Sequence, residues 1–476
     1  MARQDCGNYG PPAQTRREML QRSALGFGTL ALTSLLAEEG RLFAADGAEG
    51  TLIGKKLNGK AKNVIFLFMG GGPSQVDTFD PKPELTKLDK QDVPPSIAKD
   101  IPRIARSPLK GLFASPYKFI KHGQSGIEVS ELFPELGKLV DDLCILRSCR
   151  HGTPIHAPAE YVSMTGTQVG DRPSLGAWIY YGLGSENQNL PGFVVLMTGD
   201  NFGGFPAWAN GFLPARYQGT VVKPEGIPNI SMPTGTTPDN RQAQIDLLSK
   251  LNEHHRQRND GNTELEARIK TYELAFRMQS HAPEVFDLSK ESDKTRQLYG
   301  IDVKESGEYG THCLLARRMV ERGVRFVQLR CGGWDAHGNL KKNHDPQCQK
   351  VDRPIAGLLT DLKQRGLLES TLVIWGGEFG RTPTQENYGT PSPGRDYSPS
   401  GYSMWLAGGG VKGGQVIGST DPVGYAAIER PIHPNDLHAT ILHALGIDQR
   451  HLYYRHNNRK EMVTVNGGEV VREVFA

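Results

Sequence analysis

Four stretches of this chain set carboxylates and imidazoles beside glycines. They are Gly70-Gly71-Gly72-Pro73-Ser74-Gln75-Val76-Asp77-Thr78-Phe79-Asp80, His151-Gly152-Thr153-Pro154-Ile155-His156, Cys331-Gly332-Gly333-Trp334-Asp335-Ala336-His337-Gly338-Asn339 and Gly376-Gly377-Glu378-Phe379-Gly380-Arg381-Thr382-Pro383. Nitrogen and oxygen donors on separate loops, with positions left open for substrate, are what a catalytic divalent-metal site requires. Asp335 and His337 carry both ligand types on one tight loop. His151 and His156 are five residues apart, so no single helix face presents both, and Pro154 favours an irregular loop instead. Each residue also has a plain structural reading: Glu378 as a cap or an ion pair with Arg381, any one histidine as a buried core residue. It is their joint placement that points to chemistry.

That placement follows from the elements around them. Asn63–Met69 is a continuous apolar run without alternation, which predicts a parallel strand covered on both faces, and it leads straight into the first stretch. Val140–Leu146 is a weaker strand candidate, and Gly192–Met197 a further one. Cys313–Glu321 predicts an amphipathic helix closed by Gly323, with Val324–Leu329 the strand after it; Asp352–Lys363 and Thr371–Trp375 repeat the unit. Successive helix–glycine–strand units predict a mostly parallel α/β sheet with helices on both faces. In such sheets ligands sit beyond the carboxyl ends of the strands, where the four stretches lie. The segment from about 203 to 290 reads as an insertion, irregular first and helical over Glu264–Gln279. At the C-terminus, Met462–Val465 and Val470–Val471 around Asn466-Gly467 predict a hairpin.

Composition excludes several classes. The 55 Lys and Arg against 52 Asp and Glu leave a net charge of +3, and no basic stripe with interleaved aromatics occurs, so a dedicated nucleic-acid binder is not expected. A hydrophobic fraction of 37% supports a packed core and excludes wholesale disorder. Gly70–Gly72 are not part of a GxGxxG or GxxxxGK[ST], and GxSxG is missing from the strand ends, which argues against a nucleotide site there and against a hydrolase serine. Arg16-Arg17, the small-residue run Ser23–Ala37 and the stop at Ala44-Ala45 read as a twin-arginine export signal over residues 1–45. The run is shorter than the about 20 residues a membrane span needs. A linker (46–61) and a single domain (62–476) follow, with an extracytoplasmic or periplasmic location expected. Cys144, Cys149, Cys313, Cys331 and Cys348 form no CxxC pair; they read as buried small hydrophobes with at most two bridges.

The motifs also resemble a known family. Thr371–Gly380 resembles the strand and "SDHG" segment of sulfatases and alkaline-phosphatase relatives, and Asp436–Ile447 is similar to their C-terminal helix. His156-Ala157-Pro158-Ala159-Glu160 through Thr165-Gly166 is spaced like the sulfatase C-x-P-S-R motif. With its GGPSxxDTFDPKP, WDxHxxN, GEFGRTP and GYSxWLAGGG segments, the chain from Lys62 to Ala476 resembles the sulfatase-like family called domain of unknown function 1501, within the alkaline phosphatase/sulfatase superfamily. The resemblance implies an alkaline-phosphatase-like three-layer α/β sandwich and an exported hydrolase of sulfate or phosphate esters, including esters on glycans. It also implies one or two divalent cations (zinc, calcium, manganese or magnesium) on Asp77, His156, Asp335, His337 and Glu378. His151 would be a further ligand or proton carrier, and Arg381 would bind the anionic group. The chain departs from the relatives at four places: Met69-Gly70 stands where their first strand ends in an Asp ligand, with Asp77 coming later, His156 where they carry a nucleophile, Phe379 where they carry an imidazole, and Tyr397 where the family has the histidine of GRDH. These departures support an alternative, a catalytically inactive scaffold that binds an anionic glycan or a partner protein.

Overall fold

The computed structural model describes residues 57–476 apart from 103–108, 200, 228–236, most of 259–282, 387–388, 466 and 476. The expected export segment, most of the linker and nearly all of the expected helix Glu264–Gln279 therefore lie outside the described residues. Eight strands form the central sheet: β1 (Asn63–Met69), β2 (Leu143–Cys149), β3 (Phe193–Thr198), β4 (Thr220–Val222), β5 (Phe326–Cys331), β6 (Thr371–Gly376), β7 (Tyr402–Ala407) and β8 (Gln415–Ile417). Their order is β8-β2-β7-β6-β1-β5-β3-β4. Strand β7 runs antiparallel to β2 and β6, and the other pairings are parallel.

Strand β1 shows why its sequence lacks alternation. Ile65, Leu67 and Met69 pack into one apolar cluster while Val64, Phe66 and Phe68 pack into another, so the period of two divides the strand between two cores. Helices α3 (Gly307–Glu321) and α4 (Leu340–Gln364) cover the first face through Leu314, Leu315, Val351, Ile355 and Leu358. Helices α1 (His156–Thr165), α2 (Leu175–Leu183) and α5 (Pro434–Ala444) lie on the second, through Met164, Trp178, Ile179, Ile441 and Leu442. The result is the expected three-layer sandwich. The register also levels the strand ends. Met69 stands opposite Cys331 and Phe68 opposite Gly376, so the loops after β1, β5 and β6 leave from one rim.

Three elements differ from expectation. Strand β4 lies inside the 203–290 stretch and pairs with β3, so the central sheet itself extends into that segment. Helix α4 begins at Leu340 rather than Asp352, because the buried series His344, Cys348, Val351, Ile355, Leu358 and Leu362 keeps helical spacing across Pro346 and Pro354. The C-terminal hairpin joins Tyr453–His456 to Arg459–Met462. Its turn is Asn457-Asn458, both at positive φ (48° and 61°) as a two-residue hairpin turn requires, while Val463 and Val471 go into the core. All five cysteines of the described residues are free and buried. Among the described residues no helix is long and apolar enough to cross a membrane.

Helix α5 carries an acid-sensitive group. His438 Nε2–H donates to the Ser163 carbonyl at 2.8 Å, and its Nδ1 is buried without a partner. Burial pushes its pKa down to about 4. A histidine whose folded pKa is depressed contributes fully above about pH 6.5 and loses that contribution as pH falls toward 4, here about 3 kcal/mol at pH 4. His438→Gln keeps a donor for Ser163 and cannot titrate. Its melting temperature should fall less steeply than the wild type's between pH 7 and pH 4.5, and parallel curves would rule the histidine out as a contributor.

Candidate metal centre

Glu378 follows β6 after a single glycine and is fully buried. Its Oε1 accepts from the Gly71 N–H at 2.9 Å and from His156 Nδ1 at 2.7 Å, while Oε2 has no partner. Gly71 can make this contact because it sits at φ +110°, and because a Cβ there would lie 2.5 Å from the Asp335 nitrogen. His156 is the first residue of α1, and its Nε2, also buried without a hydrogen-bond partner, faces Asp335 Oδ2 across 3.5 Å. Burial by itself would lower the His156 pKa, but the Asp335 and Glu378 carboxylates raise it to about 9. The ring is thus braced between two acids.

Asp335 is the hub. Its Oδ1 accepts from His337 Nε2 at 2.9 Å and from Arg381 Nη2 at 2.6 Å. Burial opposes ionisation, yet these hydrogen bonds and the Arg381 charge hold its carboxyl well below the usual range. His337 Nδ1 contacts the Glu386 carboxylate, and ligand atoms of His337, Glu386 and Asp396 all lie within 4.8 Å of one another. The hydrogen bond with Asp335 raises the His337 pKa, with Glu386 adding to it against burial. Gly394 lets the Pro393–Asp396 segment close on this loop, since a Cβ there would come within 2.2 Å of the His337 backbone. Tyr397 stands edge-on to both imidazoles, its ring centre 4.6 Å from that of His156 and 4.5 Å from that of His337.

The structure therefore brings together four residues of the expected ligand set, His156, Asp335, His337 and Glu378. It places Asp77 differently. Asp77 is fully buried in a two-pronged ion pair with Arg395, at 2.7 Å and 3.1 Å, and also accepts from Ser74 Oγ at 2.5 Å. Burial alone would raise its pKa, but Arg395, with help from Ser74 and His344, lowers it. Both its oxygens are committed. His151 is likewise occupied: its Nε2–H donates to the Glu378 carbonyl at 2.5 Å, its Nδ1 accepts from the Thr153 N–H at 3.3 Å, and burial pushes it down to about 4. That is the bonding of a neutral ring that positions the Glu378 loop. Arg381 is fully buried beneath the centre, donating to the carbonyls of Gly71, Gly72 and Arg395 as well as to Asp335. Its fork is spent on the scaffold, so it acts on an anion only through Asp335.

A family model described as a protein of unknown function (DUF1501) matches residues 61–475. The chain belongs to this family. Similar solved structures include a phosphonate monoester hydrolase from Silicibacter pomeroyi (11% identity, 87% of this chain and 76% of that one, TM-score 0.37). The alkaline phosphatase from the Antarctic bacterium TAB5 matches at 11% identity over 83% of this chain and all of the other, TM-score 0.33. A PsFucS1 sulfatase from Pseudoalteromonas sp. matches at 13% identity over 91% and 72% of the two chains, TM-score 0.32. The likeness in each case is one of architecture alone. The sequence matches no curated protein.

Two members of the centre lie outside the expected ligand set. Asp396 lies in the Gly394-Arg395-Asp396-Tyr397 segment, in which Tyr397 is the residue that departs from the family pattern. Glu386 lies in Thr384-Gln385-Glu386, with neither a glycine nor a second ligand beside it, and no local signal marks it. The donor chemistry fits a divalent cation. His156 Nδ1–H on Glu378 leaves Nε2 as the ring's free lone-pair atom once deprotonated, which is how carboxylates orient metal-binding imidazoles.

Proposed function

We propose that this DUF1501 protein is an exported hydrolase of sulfate or phosphate esters, including esters carried on glycans, that works with one or two divalent cations. The observation that carries the reading is the convergence of His337, Glu386 and Asp396 ligand atoms within 4.8 Å of one another, next to Asp335, with Glu378 Oε2 buried and without a hydrogen-bond partner in the same group. A buried polar atom left unpaired costs free energy, so a site that holds one beside converging ligand atoms is built for something that binds there. His337, Glu386 and Asp396 would hold a cation, with Asp335, His156 and Glu378 adjoining it as the further expected ligands. A mixture of imidazoles and carboxylates suits zinc or manganese better than calcium, which takes oxygen donors. Bound there, such cations supply Lewis acidity toward the ester oxygen and lower the pKa of a water.

The chain's own residues do the rest. Arg381 keeps Asp335 ionised, Gly71 and His156 fix the Glu378 carboxylate, and His151 anchors the Glu378 backbone. Ser74 is no nucleophile in this reading, since its hydroxyl is buried and given to Asp77. The Arg16-Arg17 pattern supports export of the folded chain. A second reading, a scaffold that binds an anionic glycan or a partner without turnover, is favoured by one observation: Tyr397 packs between the two imidazoles where the family has a histidine.

Metal analysis by inductively coupled plasma mass spectrometry tests the proposal. The purified mature protein should carry about one or two cations per chain, and the Asp335→Ala/His337→Ala variant should lose them. Retention of the metal by the variant, or none in either protein after incubation with zinc, manganese and calcium, would end the hydrolase reading. With metal bound, hydrolysis of sulfate or phosphate esters separates it from the scaffold.

A further inference from the structure

The centre is polar and buried, but one side of its mouth is not. Ile155, Val169, Phe202 and Phe205 are 62%, 58%, 37% and 53% exposed, a high figure for large apolar side chains on a globular protein. All four lie on or beside α1 and the segment that follows Phe202. Ile155 is the N-cap of α1, immediately before His156. Phe202 lies flat on the His156 ring, with centroids 4.0 Å apart and planes 10° off parallel. From there the chain tracks along α1. The backbone of Gly203 bonds to the Glu160 carboxylate, and a Cβ on Gly203 would come within 2.4 Å of Glu160 Oε2. Phe205 packs edge-on to Trp208, and Gly170, the residue after Val169, lies against Pro206 and Tyr161, a Cβ there coming within 2.8 Å and 3.3 Å of them.

Glu160 fixes this strip in place. It is fully buried, one helical turn after His156, and held by Arg330 from the end of β5. The strip is therefore anchored to the same helix and the same strand end that carry the centre. An apolar shelf held rigidly against a charged site fits a ligand with two unlike ends.

We propose that the shelf of Ile155, Phe202, Phe205 and Val169 receives the alcohol part of the ester, and that this part is apolar: an aryl or alkyl group laid on the outer face of Phe202. The inference rests on the ester-hydrolase reading and names the substrate class for it. A sugar would need hydrogen-bonding groups along the rim, and these four side chains have none. Burying an apolar group on the shelf gains free energy for each methylene covered, and the gain does not depend on the chemical step.

The test is binding rather than turnover. Methylphosphonate, benzylphosphonate and glucose 6-phosphate are titrated calorimetrically into the metal-loaded protein and into Val169→Ser/Phe205→Ser, two exposed positions that are not among the proposed metal ligands. Benzylphosphonate should bind the wild type about tenfold or more tighter than methylphosphonate, about 1.4 kcal/mol, and the double variant should lose that difference while keeping its methylphosphonate affinity. Equal binding of the two phosphonates, or an unchanged preference in the variant, overturns the shelf and leaves the hydrolase reading intact. Tighter binding of glucose 6-phosphate assigns the rim to a sugar and overturns the shelf as well. A dimer that the double variant breaks would give the strip to a second copy, and the shelf would fall in that case too. If no phosphonate or phosphate binds the metal-loaded protein, the hydrolase reading falls and the shelf with it.

Discussion

Asp77→Asn should unfold far more readily than the wild type yet keep its metal. Asp77 and Arg395 are both fully buried, and their two-pronged pairing links the loop after β1 to the segment that carries Asp396. Removing the charge leaves the buried Arg395 guanidinium facing a neutral amide, whose one oxygen can accept a single bond, and the Thr382 carbonyl at 3.3 Å. Breaking one partner of a buried pair costs about 3–5 kcal/mol, which should lower the melting temperature by on the order of 5 °C or more. Differential scanning calorimetry reads the loss, and metal content per folded chain, measured below the transition, should match the wild type. An Asp77→Asn protein as stable as its parent but depleted of metal would make Asp77 a ligand after all.

Asp335→Asn should do the reverse. The amide keeps the shape of the carboxylate but gives up the charge that His156, His337 and Arg381 share. Loss of an outer partner of a metal ligand already weakens binding about 10–100-fold, so loss of the hub should weaken it by at least about a hundredfold, with ester hydrolysis falling in step. The stability cost should be smaller than for Asp77→Asn, because Arg381 keeps the carbonyls of Gly71, Gly72 and Arg395 as acceptors. Equilibrium dialysis against zinc or manganese, followed by metal analysis, gives the affinity. Wild-type affinity in Asp335→Asn would remove Asp335 from the centre, and the partnerless atoms around it would no longer point to a cation. The two variants together separate a residue that holds the fold from one that holds the ligand, although both are acids on loops at the same rim.

That contrast marks how far the sequence is readable. An unbroken apolar run such as Asn63–Met69 admits one structural meaning in a chain of this length, and the strand ends then locate the rim at which Asp335 and Glu378 emerge. What the run cannot show is which carboxylate finds a cation and which finds an arginine. Arg395 is 318 positions from Asp77, and nothing near Asp77 announces it. Glu386 is invisible for the opposite reason: it joins His337 only because Gly394 lets two distant segments touch. The hairpin shows a local limit of the same kind. Asn466-Gly467 and Asn457-Asn458 are both good turns, and the choice between them follows from burial of Val463 and Val471, which is a property of the core. Helix α4 is longer than its local signals suggest because its prolines look like breaks, whereas the spacing of its buried side chains runs through them.

The five buried thiols have a bearing on how the domain meets oxidants. Cys144 and Cys149 lie on β2, Cys313 on α3, Cys331 at the end of β5 and Cys348 on α4, all unpaired and within 2% of full burial. Burial raises the pKa of every one of them, which keeps the reactive thiolate scarce. Among the described residues, oxidants would meet no exposed thiol while the sheet is closed, and no cross-link has to form for the sheet to close. The domain's redox durability is thus a property of its packing, and it ends where the packing opens.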